Sequence, residues 1–361
     1  MEGSEPDELN VRLPSDDRAS SDRTRSNSGS NSGSSSNTGS PLDFSLRYPR
    51  AVVTEGVVGT ARFRCEPADF IVDEVLRFHP SGEGEHVYLH IRKTGQNTRW
   101  VIDELSRQWG IERSLFGHCG LKDRHAITTQ WLSVQSPVET PSIDALDIPG
   151  VEVIATSRHE KKLRPGSHEG NQFRLILRNV TTDKQHIERA LAAMAKTGFP
   201  NYFGSQRFGQ NGQNLAKGWH LLSKRRLSGH KKKGIYLSAL RSFVFNQVLA
   251  QRIDQRSVER AEDDCGPLWG RGRARISADQ QSEEVELLRP WATLCDALEF
   301  SGLNQERRPL MCTPAHLSWE WSRQDQLQLS FTLPPGSYAT ALLTELAELE
   351  DGSSIADGSS T

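Results

Sequence analysis

Four ionisable residues, Lys122, Asp123, Arg124 and His125, stand together in the stretch HCGLKDRHAITTQW (His118–Trp131), bracketed by small and apolar residues. A Lys-Asp-Arg triplet after glycine, taken alone, reads as an exposed turn, because aspartate readily bonds its own backbone there. The apolar runs on both sides instead place Asp123 on a loop anchored by regular structure, the usual seat of a catalytic group. An aspartate with an ordinary pKa of about 3.9 is ionised at neutral pH, which suits nucleophilic attack rather than acid catalysis. Arg64, in the early run ARFRC, offers a fixed cation to hold such a carboxylate ionised and oriented.

The elements that must position these groups are legible in the hydrophobic pattern. Short alternating runs bounded by Pro or Gly predict strands: ARFRC, DFIVDEV and HVYLHIRK before the charged stretch, then HAITTQWLSV, VEVIATSR and NQFRLILRNV after it. NTRWVIDELSRQWG predicts a helix capped by Asn97 or Thr98 and ended by Gly110, and DKQHIERALAAMAKTG a second one that Gly198 terminates. GFPNYFGSQRFGQNGQNLAKG is too polar for a core element and reads as a structured loop whose aromatics anchor it, with Arg207 and Lys217 among them. IYLSALRSFVFNQVLAQRID has helical spacing at Leu237, Leu240, Val244, Val248 and Ile253, whereas GPLWGRGRA reads as a turn-rich connection. Strands and helices in this mixed order predict an α+β fold with a largely antiparallel sheet.

Composition narrows the function classes. No apolar run approaches the roughly 20 residues of a membrane span, and the acidic first thirty residues resemble neither a secretion signal nor a transit peptide, so a cytoplasmic protein is expected. Cys65, Cys119, Cys265, Cys295 and Cys312 are far apart, which indicates free thiols and no structural zinc site. The net charge of −2 is uneven: residues 1–41 carry −3 and 341–361 carry −5, which leaves 42–340 at +6. From Arg189 to Ile253 there are twelve Lys or Arg and no Asp or Glu, concentrated in SKRRLSGHKKK (Ser223–Lys233). Such a field favours a polyanion, against the plainer reading of a solvated loop. Ser20–Ser40 is Ser/Gly/Asn-rich and is expected to be a disordered tail.

Seven collinear blocks then carry a family resemblance: FIVDEVLRFHPSGEGEHVYLHIRKTGQNT, GLKDRHAITTQW, KLRPGSHEGNQFRLILR, GFPNYFGSQRFG, LSALRSFVFNQ, GPLWG and PPGSYAT. Together they resemble the TruD family of tRNA pseudouridine synthases. The resemblance implies a pseudouridine-synthase catalytic domain over 42–197 and 307–348, a family-specific α/β domain inserted at 198–306, and disordered tails at 1–41 and 349–361. It implies isomerisation of uridine 13 of tRNA to pseudouridine by a monomer, without metal, cofactor or membrane. By the same resemblance Asp123 matches the catalytic aspartate, Arg64 the basic residue paired with it, and Asn171 the asparagine that positions it. Phe173 matches the phenylalanine stacked on the target base, and Phe70 and Tyr338 fall on the other aromatic positions of the pocket. Tyr338 departs from the usual Phe, so its hydroxyl needs a partner if buried.

Lys122, His125, Arg207, Lys231, Lys232 and Lys233 are the expected RNA contacts. From the residues alone, Phe70 and Phe173 would be core. Two other classes stay open on that footing: a non-catalytic RNA-binding protein, and a metal-dependent nuclease, for which Asp69, Asp73 and Glu74 are the nominees. Within the synthases, another uridine or another RNA is the alternative substrate.

Overall fold

The computed structural model describes residues 42–52, 58–136, 141–258, 264–272 and 276–353 of the chain. The expected tail at 1–41 lies outside them.

The first half supplies β1 (Thr60–Phe63), β2 (Phe70–Leu76), β3 (His86–Thr94), α1 (Thr98–Trp109), β4 (Phe116–His118), β5 (Ile127–Gln135), β6 (Val151–His159), β7 (His168–Leu177) and α2 (Lys184–Thr197). Asn97 caps α1 by accepting from Arg99 N, and Gly110 ends it at φ 64°, a left-handed conformation that costs glycine nothing. Asp183 caps α2 in the same manner. The second half supplies β8 (Phe199–Pro200), α3 (Gln213–Ser223), α4 (Lys233–Asp254), β9 (Cys265–Leu268), α5 (Ala278–Leu287) and α6 (Ala292–Glu299). It ends with β10 (Glu306–Pro309), β11 (Met311–Cys312), β12 (Ala315–Arg323), β13 (Gln326–Leu333), α7 (Ala339–Thr344) and β14 (Glu348–Asp351).

Eight strands form the main sheet in the order β12-β13-β7-β2-β5-β3-β6, with β4 added beside β5. Only β2 and β5 run parallel in it, so the α+β, largely antiparallel expectation holds. Register puts Val72, Thr128, Lys93, Phe173 and Phe331 on one face, since paired residues share a side and alternate residues along a strand repeat it. That face carries two apolar clusters. One packs Phe70, Val72, Phe173, Leu175, Leu177 and Phe331 on Ile187, Leu191 and Met194 of α2. The other packs Val87, Leu89, Ile91, Leu132 and Val134 on Val101, Ile102 and Leu105 of α1. Between them, in phase with both, lie Glu74, Lys93, Thr128, Gln130 and Asn171, all but Asn171 buried. Buried charge without a partner is expensive, so this polar strip must be paired internally.

A further cluster gathers Tyr202, Phe203, Phe208, Leu240, Phe243, Phe245, Leu249, Leu294 and Leu310 around α4. Tyr202, Phe203 and Phe208 are therefore anchors, as the sequence predicts. Leu42, Phe44 and Leu46 pack on this cluster too, with Phe44 edge-on to Phe243.

Three expectations need correction. The first strand stops at Phe63, so Arg64 follows it at φ 56° instead of lying in it. GPLWG is not merely a connection, because Cys265–Leu268 pairs with Glu306–Pro309. The acidic end is not wholly a tail: Leu349–Asp351 belong to β14, which pairs in parallel with β1. Apolar alternation is too brief in Glu348–Asp351 to announce a strand, and the pairing partner is supplied from the other end of the chain.

Candidate active site

Asp123 lies in the loop between β4 and β5, with its side chain 40% exposed. Its backbone is held from behind. Lys93, fully buried in β3, donates its ammonium to the carbonyls of Asp123 (2.7 Å) and Gln96 (2.8 Å), and reaches that of Lys122 at 3.5 Å. Burial pulls the Lys93 ammonium down to about 8, against the opposing pull of the Asp123 charge. Thr98, the first residue of α1, accepts from Lys122 N at 3.0 Å and donates to Gln130 at 2.8 Å. The loop is thus fixed to the sheet and to a helix N-terminus at consecutive residues.

The side chain of Lys122 does not reach toward solvent. It is 6% exposed and turns into the polar strip, where its ammonium sits 2.5 Å from Glu74 Oε2 and donates to Asn171 Oδ1 at 2.7 Å. Asn171 Nδ2 in turn lies 3.3 Å from His168 Nε2. Lys122 is therefore not placed to meet a phosphate, and the expectation of an RNA contact is corrected: a fully buried carboxylate has claimed the charge. Asn171 acts on the residue before Asp123, through Lys122, instead of on the aspartate itself.

Arg64 faces Asp123 from the other side. Its guanidinium is 5% exposed, donates to Asp123 Oδ1 at 3.4 Å and to Asp351 Oδ2, and lies 4.7 Å from the Phe63 ring centre and 5.8 Å from that of Phe70. A non-glycine residue held at positive φ costs roughly 1–3 kcal/mol, and such strain gathers at functional positions. Phe70 continues the contact to Phe173 (edge-on, 6.2 Å), which stacks on Phe331 at 5.3 Å. The structure so joins Asp123, Arg64, Phe70 and Phe173 into one chain of contacts, with both phenylalanines less than a tenth exposed.

Tyr338 stands apart from that chain, at the start of α7 between the first and the α4 clusters. Its hydroxyl has a protein partner: Arg207 donates to it at 2.7 Å, and Phe203 packs edge-on at 6.0 Å. Arg207 is accordingly engaged within the protein, not simply presented to solvent as an RNA contact. Lys231 and Lys232 are exposed and Lys233 half-buried at the start of α4, without an ion pair among the described residues. His125 is half-buried at the end of the Asp123 loop.

The carboxylates nominated for a metal are not assembled. Asp69 binds Arg178, Asp73 binds Arg174 and Thr129, and Glu74 binds Lys122. Ligand atoms of Glu74, Cys119 and His168 do lie within 4.8 Å of one another. Burial, however, pushes the Cys119 thiol up to about 12, and the ligand form is the thiolate. With Glu74 already neutralised by Lys122, this donor set fits a buried polar knot better than an ion.

Lys93, Glu74 and Asp351 were not predicted as parts of this site, although Glu74 was a nominee for a metal. The first two carried a usable signal: each is a charge in phase with the apolar face of its strand (Val87, Leu89, Ile91, Lys93; Phe70, Val72, Glu74).

Comparison with known proteins agrees with this architecture. Residues 50–225 match the family described as tRNA pseudouridine synthase D (TruD). The chain is 42% identical over 321 residues to tRNA pseudouridine synthase D of Cellvibrio japonicus, covering 86% of this chain and 95% of the relative. It is 39% identical to the protein of the same name from Hydrogenovibrio crunogenus, covering 81% and 94%. A crystal structure assigned to TruD from Methanosarcina mazei shares the fold with a TM-score of 0.59, at 17% identity over 82% of this chain and 95% of that one. With about two fifths of the aligned residues identical along nearly the whole length of such relatives, the chain belongs to the TruD family, tRNA pseudouridine synthase D.

Proposed function

We propose that this protein isomerises uridine to pseudouridine in tRNA, at position 13, with Asp123 as the catalytic carboxylate. The observation that carries this reading is a half-exposed aspartate whose loop is pinned at its own carbonyl by Lys93 and at the preceding residue by the Lys122–Glu74 pair, and whose carboxylate meets a nearly buried arginine. The pins supply preorganisation, so that the ordering cost is met at folding and not at the moment of reaction. The uridine leaves the RNA stack at a cost of a few kcal/mol, offset by stacking on an apolar or aromatic surface. Phe70 and Phe173 are the aromatics proposed for that surface.

The Arg64 guanidinium stays beside the Asp123 carboxylate while the glycosidic bond breaks and C5 of the uracil bonds to the sugar. Residues 198–306, inserted between the two parts of the catalytic domain, hold the tRNA through Lys231, Lys232 and Lys233, with electrostatic attraction to phosphates as the main term. The protein works as a cytoplasmic monomer without metal or cofactor; no helix among the described residues is long and apolar enough to cross a membrane.

The test is Asp123→Asn, which keeps shape and the ability to accept from Arg64 but removes the charge. Melting temperature and tRNA affinity should stay near wild type, while single-turnover pseudouridine yield falls to the detection limit. Substantial product from the folded variant would refute the assignment. Chemical mapping of pseudouridine in total RNA from a deletion strain separates position 13 from another uridine or another RNA, and absence of any lost site would favour a protein that only binds RNA.

A further inference from the structure

Arg64 holds two carboxylates, and it holds them unequally. Its contact to Asp123 is long, 3.4 Å, whereas Asp351 is gripped closely by the other terminal nitrogen. Asp351 is itself fixed: Ser353 donates to its Oδ1 from both the hydroxyl (2.7 Å) and the backbone N–H (3.1 Å). Burial pushes the Asp351 carboxyl up, but the hydrogen bonds from Ser353 and Arg64 outweigh it and hold the group below the usual range.

The backbone fixes the same junction. Phe63 and Asp351 are register partners across β1 and β14, and Gly352 N donates to Phe63 O at 2.9 Å. A Cβ at Gly352 would lie 2.7 Å from the Cα of Cys65, so only glycine lets the two segments approach this closely. The strand ends at the residue before Arg64, whose positive φ then takes the chain out of the sheet. The segment that carries Asp351 is therefore anchored to the backbone on either side of Arg64.

We propose that Asp351 is a positioning residue for the reaction, which holds the Arg64 guanidinium by one arm so that the other stays directed at Asp123. This rests on the catalytic reading of Asp123. Arg64 without Asp351 would have one carboxylate to bind instead of two, and would close on Asp123 or rotate away from it. Either movement misplaces the charge that the reacting aspartate needs. The role calls for a bidentate cation: a guanidinium can bind two carboxylates on separate nitrogens in a fixed plane, whereas an ammonium presents a single point charge.

The experiment is a double-mutant cycle of Asp351→Asn and Arg64→Lys, with melting temperature, tRNA affinity and single-turnover rate measured on each preparation. Losing one hydrogen bond to a charged group predicts a rate about 10- to 100-fold lower for Asp351→Asn, at an affinity within about threefold of wild type. In the Arg64→Lys background the same substitution should slow the reaction less than about threefold, because the arm it serves is already gone. Ser353→Ala leaves the carboxylate and loosens only its support. It should slow the reaction about three- to tenfold, and it carries the test should Asp351→Asn not fold.

A wild-type rate in folded Asp351→Asn, or an equal loss in both Arg64 backgrounds, overturns the proposal. So does an unchanged rate in Ser353→Ala where Asp351→Asn cannot be assayed. If Asp123→Asn is inactive while Asp351→Asn is fully active, only the positioning role fails; if Asp123→Asn is active, the catalytic reading fails first.

Discussion

The loop around Asp123 and the run from Ser223 to Lys233 are both dense in charge, and they handle it in opposite ways. In the loop, Lys122 is nearly buried against Glu74, and Lys93 behind it is fully buried against backbone carbonyls. In the run, Ser223 to Arg226 and Ser228 to Lys232 are exposed, and only Leu227 is buried. A buried ammonium is satisfied by fixed partners and gives rigidity. An exposed one is satisfied by water and gives reach. The same residue type therefore fixes a loop in one place and stands open to solvent in the other.

The largest effect should come from breaking the buried pair. Glu74→Gln leaves the Lys122 ammonium uncompensated, and removal of one partner from such a pair costs about 3–5 kcal/mol of stability. Urea unfolding should show that loss, and the double variant Glu74→Gln/Lys122→Met should recover part of it. A cost below about 1 kcal/mol for the single variant would place the loop with the solvated run. Next is Lys93→Met, which strips the carbonyls of Asp123 and Gln96 of their donor. Unpaired buried acceptors cost about 1–3 kcal/mol each. The loss should appear in the single-turnover rate and in faster amide exchange across residues 119–126, with tRNA affinity little changed.

The exposed run predicts the reverse pattern. Replacing Lys231, Lys232 and Lys233 with Ala should weaken tRNA binding and reduce the slope of log affinity against log salt by up to about three, one for each phosphate no longer neutralised. An unchanged slope would return the run to a solvated loop. The smallest effect concerns a third kind of charge, buried with backbone donors as its main partners. Glu345 accepts from Ala51 N and Val52 N, yet burial pushes its carboxyl up to about 7. The folded chain keeps this proton between pH 4.5 and 7 where the unfolded chain has lost it, so the stability it contributes is present at low pH and lost as pH rises through 7. Glu345→Gln retains an acceptor without the charge. It should lie close to wild type near pH 5 and be the more stable of the two at pH 8; equal stability at both would show the carboxylate to be well solvated.

Much of this frame was legible in the residues. The caps of α1, the alternating strands and the stripe of α4 follow from local rules that act within a few residues, and the structure agrees with them. Asp123 and Arg64 could be paired on chemistry, and they do meet. What escaped is what depends on distant partners. Lys122 looks like a surface lysine until Glu74, nearly fifty residues earlier, is brought beside it. Leu349–Asp351 looks like part of an acidic tail until β1 offers it a partner. The hydroxyl of Tyr338 was expected to need an acceptor or donor, but nothing local names Arg207. Lys93 is the exception: its inward phase was visible, and a charge at such a position is itself a signal of a buried network.

The pairing of β1 with β14 also bears on biosynthesis. Arg64 and Asp351 are 287 residues apart, and at translation rates of roughly 5–20 residues per second the first waits some 15–60 s for the second. Throughout that interval β1 has no parallel partner and the guanidinium has one carboxylate fewer. The contact between Arg64 and Asp351 can therefore form only after the strand that carries Asp351 has left the ribosome.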